Sequence, residues 1–571
     1  MSALRFVDYG FGGGYNPSTQ SSLIADNQCS YGKNWAYNLS SDLKSASIVK
    51  RPGATLVSET IGQTIDSNAL VATDSFIVRG IYLRYDGTEQ IVSLLANATR
   101  GQIYANNGTA TYGVTMGAIP YTDLKGTDGD SENYQNKLYI IKNGGKYLEI
   151  DGAGSPLTLH VYALTDVDST AFVGTMIREY QDRMYIAGDT TYPNRLYASA
   201  VGDPTDFNTA SDAGYIDFPS SITGLGKSEG YLIVHTLNDG CHKIAFDSSN
   251  LPYRLEIPKA PGTISHKSIA ELDNVQFYLA NDGVYQLGYS ANYPDSVRSS
   301  RVSEDVGVVV DSITDKSRCS GIFMDDKYYL SYRTDSDTTN PYNDSLLVYD
   351  FVAKSWYAPW YCDGVSVSGK HGAVPFDHLM SFDNKLLSAI KQVYDNTTSF
   401  DSKMYQFTEN QLYDKGLISG SITAEYAVDR RYHTKNYSLK DFEISKKLYW
   451  TYARYTRIKG GNPSVTVRAD DRSNADYTRD LNETLSAGLG SSFQEIQMGV
   501  HILGYGCLGG ASPSESYSSN YMDIKIGTPL NGSFFKIEFT DNTIYKDSEL
   551  LGFSFGFRSG RPKFRSNYKI K

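Results

Sequence analysis

A short unit recurs along this chain: a polar turn, a strand rich in apolar and tyrosine residues, then a second such strand. It reads YQNKLYIIKNGGKYLEIDG over 134–152, REYQDRMYIAGDTTYPNRLYASAVGDPTDF over 178–207, SEGYLIVHTLNDGCHKIAFD from 228 and LDNVQFYLANDGVYQLGYS from 272. It continues as MDDKYYLSYR and DSLLVYDFVAKSWY from 324, then FDNKLLSAIKQVY and SKMYQFTEN from 382, and a looser copy covers 85–108. Aligned on the polar residue before the first strand, the units start at Thr88, Asn136, Asp182, Gly230, Asn274, Asp326 and Asn384, at intervals of 44 to 58 residues. That spacing is typical of propeller blades and too long for most helical repeats. Each unit leaves room for four strands. One hairpin cannot bury its own face, but blades set around an axis bury each other's and leave only short edges. The expected fold is therefore all-β, a β-propeller of about seven blades, with six or eight left open by the weak first copy.

Composition agrees. The chain has 571 residues, 40% of them apolar, with 46 Tyr and 51 Gly, which suits many short strands joined by turns. The stretch SEDVGVVVDSI after Arg301 reads as a helix with Ser303 as N-cap. The texture changes on either side of the repeats. Residues 1–60 are Gly-, Asn- and Ser-rich and read as an extended arm, 61–430 as the propeller, and 431–571 as a β-sandwich-like domain. The last segment ends in RSGRPKFRSNYKIK, where Arg558, Arg561, Lys563, Arg565, Lys569 and Lys571 stand without an acid. A solvated tail is the plain expectation for these six; contact with an acidic subunit or a DNA backbone is the sharper one.

The formal net charge of −11 argues against a general nucleic-acid coat; it permits a surface past which DNA slides and equally fits plain solubility. Cys29, Cys241, Cys319, Cys362 and Cys507 show no metal-type spacing and read as buried thiols, and no signal peptide or membrane-spanning run is expected. Catalytic candidates are weak. Asp325/Asp326 and Asp470/Asp471 fall in turns or at strand ends, where adjacent acids are ordinarily solvated. Cys241 and His242 are neighbours on a strand and point to opposite faces. DSDTTNPYND over 335–344 lacks the Gly and Glu of a calcium loop, and GFGGG over 10–14 opens no helix. No enzyme, cofactor or metal is expected.

Three stretches carry a resemblance. The N-terminal run from GFGGGYNPSTQ to KRPGATLV, the segment RLYASAVGDPTDFNTASDAGYIDFPSSITGL, and LLGFSFGFRSGRPK together resemble β-propeller tail nozzle proteins of short-tailed bacteriophages, also called tail-stabilisation or tail tubular B proteins. Phe207 stands where such proteins often have Trp. The resemblance implies a virion structural protein, assembled in the host cytoplasm. Its copies would form a ring, a hexamer by expectation, that extends the DNA-ejection channel below portal and adaptor and contacts tail fibres or spikes. Genomic DNA would pass through without sequence-specific binding. Two other functions compete: a carbohydrate-binding receptor propeller, motivated by the tyrosines, and a polysaccharide-degrading enzyme, which needs two acids converging in one cleft.

Overall fold

A computed structural model describes residues 5–559 except 39–45, 59–63, 66–67, 70–73, 84–86, 88, 107–110, 114–118, 145, 153–156, 210–211, 248–251, 291–292, 334–342, 362–375, 377, 395–398, 409–410, 419–421, 440–443, 459–463, 470–476, 481–520, 543 and 545–546. Seven antiparallel sheets of four or five strands follow one another along the chain, over 75–113, 129–162, 176–217, 222–257, 270–301, 320–361 and 379–408. The first strand of each packs beside the first strand of the next, and the last sheet returns to Ser75–Leu83 of the first. The ring is closed, and the chain is an all-β propeller.

Six of the seven sheets begin with a two-residue hairpin turn, at 135–136, 181–182, 229–230, 273–274, 325–326 and 383–384. In five of these both central residues have positive φ, for example Asp325 at 49° and Asp326 at 57°. Turns of this kind match the right-handed twist of the strands and favour Asn, Asp and Gly. The polar residues on which the repeats align are the second residues of these turns. The first blade departs because Leu83 pairs with Glu89 across a longer loop, which explains its weak likeness to the others.

Alternation within each strand builds the interfaces between blades. Leu138, Ile140, Leu148 and Ile150 of the second blade face the first, against Val92, Leu94 and Ile103. Tyr139, Ile141 and Tyr147 of the same strands face the third, against Ile177, Met184 and Ile186. Full burial of such a side chain contributes roughly 1.5–3 kcal/mol, so the blades hold each other in place rather than folding singly. Many of the tyrosines are used here: Tyr82, Tyr139, Tyr147, Tyr185, Tyr197, Tyr278 and Tyr328 are among the largest fully buried side chains.

The seventh blade takes its outermost strand, Gly53–Ser58, from the N-terminal part of the chain, where Thr55 to Gly53 run antiparallel to Gln406 to Thr408. Gly53 begins this strand because a Cβ there would lie 2.2 Å from the Tyr413 carbonyl oxygen.

The described residues of 1–60 do not stand apart as an arm. Arg5–Tyr9 pairs with Asp547–Ser559, Trp35–Asn38 pairs with Ser47–Lys50, and Cys29–Lys33 pairs with Arg430–Thr434. Two sheets thus form from both ends of the chain, one holding Lys446–Ile458 and Asp547–Ser559, the other Phe535–Asp541 and Ser464–Ala469. They face each other through aromatic pairs, Phe539 with Phe553 at 6.2 Å and Phe535 with Phe555 at 6.3 Å. Strands that pair across more than 400 residues leave no mark in local composition, which is why the glycine-rich start reads as a free arm. GFGGG is likewise wedged: the Gly14 N–H donates to the Tyr37 hydroxyl at 2.7 Å, and the Tyr15 N–H to the Trp356 carbonyl at 2.8 Å. The expected helix shrinks to Gly307–Asp311, and Ser303 does not cap it. Its hydroxyl accepts the Val284 N–H at 2.9 Å instead.

Candidate functional site

Charged side chains from the innermost strands of four successive blades meet near the propeller axis. Arg178 lies 2.8 Å from Asp130, 3.7 Å from Glu132 and 3.9 Å from Glu271. Lys227 lies 3.2 Å from Glu132 and 3.1 Å from Glu179. His266 Nε2 donates to Asp130 Oδ2 at 2.7 Å, while its Nδ1 accepts the Leu225 N–H at 3.3 Å. Asp130 also accepts the Ile177 N–H at 3.2 Å, and Glu271 the Lys227 N–H at 2.7 Å.

Burial alone would raise the Asp130 carboxyl, but the Arg178 guanidinium, the His266 contact and the Ile177 N–H outweigh it and hold the group well below the usual carboxylate range. Glu132 goes the other way. Burial raises it, Asp130 and Glu271 add to the rise, and Arg178 and Lys227 offset only part. The acids raise Arg178 and Lys227 despite burial. Four carboxylates therefore converge, as glycoside hydrolysis would require, but each is committed to a cation or an N–H. Such an arrangement braces four blades across the axis. Its residues share one place in the repeat, three or four positions before the turn residue in successive units: Glu132, Arg178, Glu179, Lys227 and Glu271.

A second constellation was missed. Cys241 and His242 do point apart, His242 pairing with Asp239 at 3.1 Å. Across the hairpin, however, Cys241 pairs with His235, its Sγ 3.1 Å from His235 Nδ1, and His235 Nε2 lies 2.8 Å from Gln276 Oε1. Thiol, imidazole and amide in series are the parts of a nucleophilic site. Here all three are buried. Burial pushes the Cys241 thiol up to about 12 and the His235 imidazole down to about 4, so both stay neutral and the three side chains form a buried hydrogen-bonded series. The native protein should alkylate at Cys241 more than about a hundredfold more slowly than the unfolded chain at pH 8, given the thiolate fractions involved. Peptide mapping after iodoacetamide treatment measures this, and rapid native labelling would show that the site is open.

The remaining candidates separate. Asp325/Asp326 occupy an exposed turn. Asp470/Asp471 and most of DSDTTNPYND lie outside the described residues. Of the six basic residues at the end, Arg558 alone is described; its guanidinium stands over the Tyr449 ring at 5.4 Å, and its strand neighbour is Lys447. Arg561, Lys563, Arg565, Lys569 and Lys571 lie outside the described residues. Phe207 is buried against Phe172 at 5.4 Å and Tyr147 at 6.5 Å, so it fills a core position. Among the described residues no group of three or more His, Cys, Asp or Glu could hold a metal ion, and no helix is long and apolar enough to cross a membrane.

No family model and no curated protein matches the chain. Among solved structures it is similar to YCF48 from Cyanidioschyzon merolae, with 10% identity, a TM-score of 0.35, and coverage of 62% of this chain and 98% of that one. It is also similar to the dihydro-heme d1 dehydrogenase NirN in complex with DHE, with 11% identity, a TM-score of 0.34, and coverage of 58% and 66%. The computationally designed Ika8 protein has 8% identity, a TM-score of 0.33, and coverage of 59% and 98%.

Proposed function

We propose that this chain is a non-catalytic structural protein of a virion tail, a nozzle subunit that joins copies of itself into a ring of six below the portal and adaptor. The observation that carries the reading is the axis: a propeller braced across its centre by Arg178 and Lys227 is a stiff block with no free acid–base pair among its described axial residues. The termini support the same reading, since the N-terminal part both closes the last blade and completes the sandwich. A building block that must bear load profits from strands tied in at both ends.

The braced axis also constrains the conduit. Duplex DNA does not pass through a centre crossed by ion pairs, so the lumen of such a nozzle is enclosed between copies. Acidic and neutral polar walls favour sliding, because each phosphate contact made would add salt-dependent affinity. The carbohydrate reading loses part of its motive, as Tyr139, Tyr147, Tyr185, Tyr197, Tyr278 and Tyr328, among the tyrosines that suggested it, are buried in the blades. Electron microscopy and native mass measurement of the purified protein, alone and with the portal–adaptor assembly of its phage, test the proposal. A closed ring seated on the adaptor is expected. A species that stays monomeric and never joins the assembly would overturn it.

A further inference from the structure

We infer that the outer face of the sandwich sheet built on Lys446–Ile458 and Asp547–Ser559 binds single-stranded nucleic acid, its aromatic rings taking unpaired bases and two of its cations the phosphates. The inference goes beyond the nozzle reading and does not depend on it.

Register lays this face out row by row. Phe553, Phe555 and Phe557 are buried in the core, so alternation turns Ser554, Gly556 and Arg558 outward. Gly556 pairs with Phe6 on one side and Trp450 on the other, and Trp450 pairs beyond with Gly527. The indole thus has a glycine across the sheet on each side. A Cβ at Gly556 would lie 2.9 Å from the Phe6 ring and 3.3 Å from the indole, so a bare backbone is what lets the two rings lean together over the strand. The next row holds Lys447 opposite Arg558. Between the rows a bulge over 448–450 inserts Tyr449. Its ring lies 5.9 Å from the indole, 5.3 Å from the Lys447 ammonium and 5.4 Å from the Arg558 guanidinium.

Two observations point to a ligand. The first is aromatic exposure. Trp35, Trp356 and Trp360 are fully buried, whereas Trp450 and Tyr449 keep part of their surface and Phe6 is 51% exposed. Rings gathered in one exposed patch mark a binding surface, unlike apolar residues scattered singly. The second is charge. Among the described residues no carboxylate forms an ion pair with Lys447 or Arg558, and Arg558 Nε is buried without a hydrogen-bond partner. Asp8, an exposed acid on the same face, stands opposite Ser554, two rows from the cations.

Exposed rings beside cations that no carboxylate neutralises match a phosphodiester chain whose base faces are open. A duplex offers the same phosphates but keeps its bases in the stack, so it would engage the cations alone. The sequence after Ser559 continues the composition: Arg561, Lys563, Arg565, Lys569 and Lys571 interleave with Phe564 and Tyr568, without an acid. The net charge of −11 confines such binding to a local site.

The test uses the full chain and a short fluorescein-labelled oligothymidylate, followed by anisotropy over a salt series, with indole fluorescence as a second signal. Binding should weaken with salt and quench Trp450. Trp450→Ala should weaken binding at least about fivefold, near the least that one stacked base contributes, and leave the salt slope unchanged. Lys447→Ala should reduce the slope of log affinity against log salt by about 0.7, the value for one phosphate contact on a single strand. Phe6→Ala, at an exposed position, should weaken binding in the same way as Trp450→Ala. It keeps the test valid if the tryptophan variant fails to fold, which circular dichroism checks. The duplex with oligoadenylate, and polyglutamate as an acidic polypeptide, should each bind more weakly than the single strand. No binding of the oligothymidylate at low salt, equal binding of the duplex or of polyglutamate, or variants that match the wild type would each overturn the inference. None of these results bears on ring formation, which native mass measurement reads separately.

Discussion

The substitution Asp414→Asn is expected to lower the stability of the fold by about 3–5 kcal/mol, the usual loss when one member of a buried ion pair is removed. The pair is Arg51 and Asp414, both fully buried where the sandwich meets the seventh blade. Arg51 NH1 donates to Asp414 Oδ1 at 2.9 Å and to the Pro52 carbonyl at 2.8 Å, NH2 donates to the Tyr361 carbonyl at 2.8 Å, and Nε donates to Asn34 Oδ1 at 3.0 Å. Asp414 also accepts the Ala54 N–H at 3.0 Å, which ties the start of the closing strand to the same carboxylate. The amide would keep the shape of the carboxylate, remove the negative charge that faces the guanidinium, and turn an N–H₂ group towards existing donors. Urea denaturation followed by tryptophan fluorescence is a suitable readout, because the Trp360 indole N–H donates to the Trp35 carbonyl at 2.8 Å close to this junction. A loss under about 1 kcal/mol would show that the pair is solvated in practice. The double variant Arg51→Met with Asp414→Leu should recover part of the loss, since no charge is then buried. Recovery should be incomplete, because the Tyr361 and Pro52 carbonyls lose their donor.

Arg51 also marks what could be read from the sequence. The Arg-Pro-Gly at 51–53 stands out as a stop to the glycine-rich start, and the structure supplies its reasons: Arg51 for the buried pair, Gly53 for the closing strand. Nothing local points to Asp414 as the partner, which lies 363 residues away. The same holds for Lys50 and Arg430, which converge on the fully buried Asp541 at 3.0 and 3.4 Å. Periodicity exposes what repeats, and turns, strands and blade interfaces all repeat. Contacts made once, between distant ends, do not. The axial cluster lies between these cases: its residues sit at equivalent offsets, but their charges differ from blade to blade, so they read as solvated faces until the sheets are set in a ring. Cys241 and His235 are a similar case, since a hairpin register is needed to bring them opposite.

The junction and the axis are two parts of one design. Buried ion pairs contribute little net stability over well-packed apolar groups, and their best-attested use is to fix one arrangement among alternatives. Seven similar blades invite misregistration, because any hairpin resembles the next. Charges placed differently on successive inner strands tell the blades apart.

Replacing Arg178 by methionine should therefore cost about 2–4 kcal/mol, less than a fully buried pair because water reaches this site, its side chain being 16% exposed. Lys227→Met should cost less than about 1 kcal/mol, since its side chain is 35% exposed and its partners keep access to solvent. The order of the two is the test, and equal effects would mean that Arg178 is no central brace. The pH dependence follows from Asp130. Its carboxyl is lower in the folded than in the unfolded chain, so it contributes stability above the unfolded value near 4 and loses it as pH falls towards the folded one. Without Arg178 the folded value rises, so this contribution shrinks at every pH above the unfolded value. Glu132 adds to the effect, since burial already holds it above its ordinary value and the loss of the guanidinium raises it further. A carboxyl raised on folding costs stability once pH exceeds its unfolded value, and the cost levels off above the folded one. The Arg178→Met deficit should thus widen from pH 4 towards neutrality, when urea midpoints of variant and wild type are compared across that range. A deficit that stays constant with pH would assign Arg178 to packing alone.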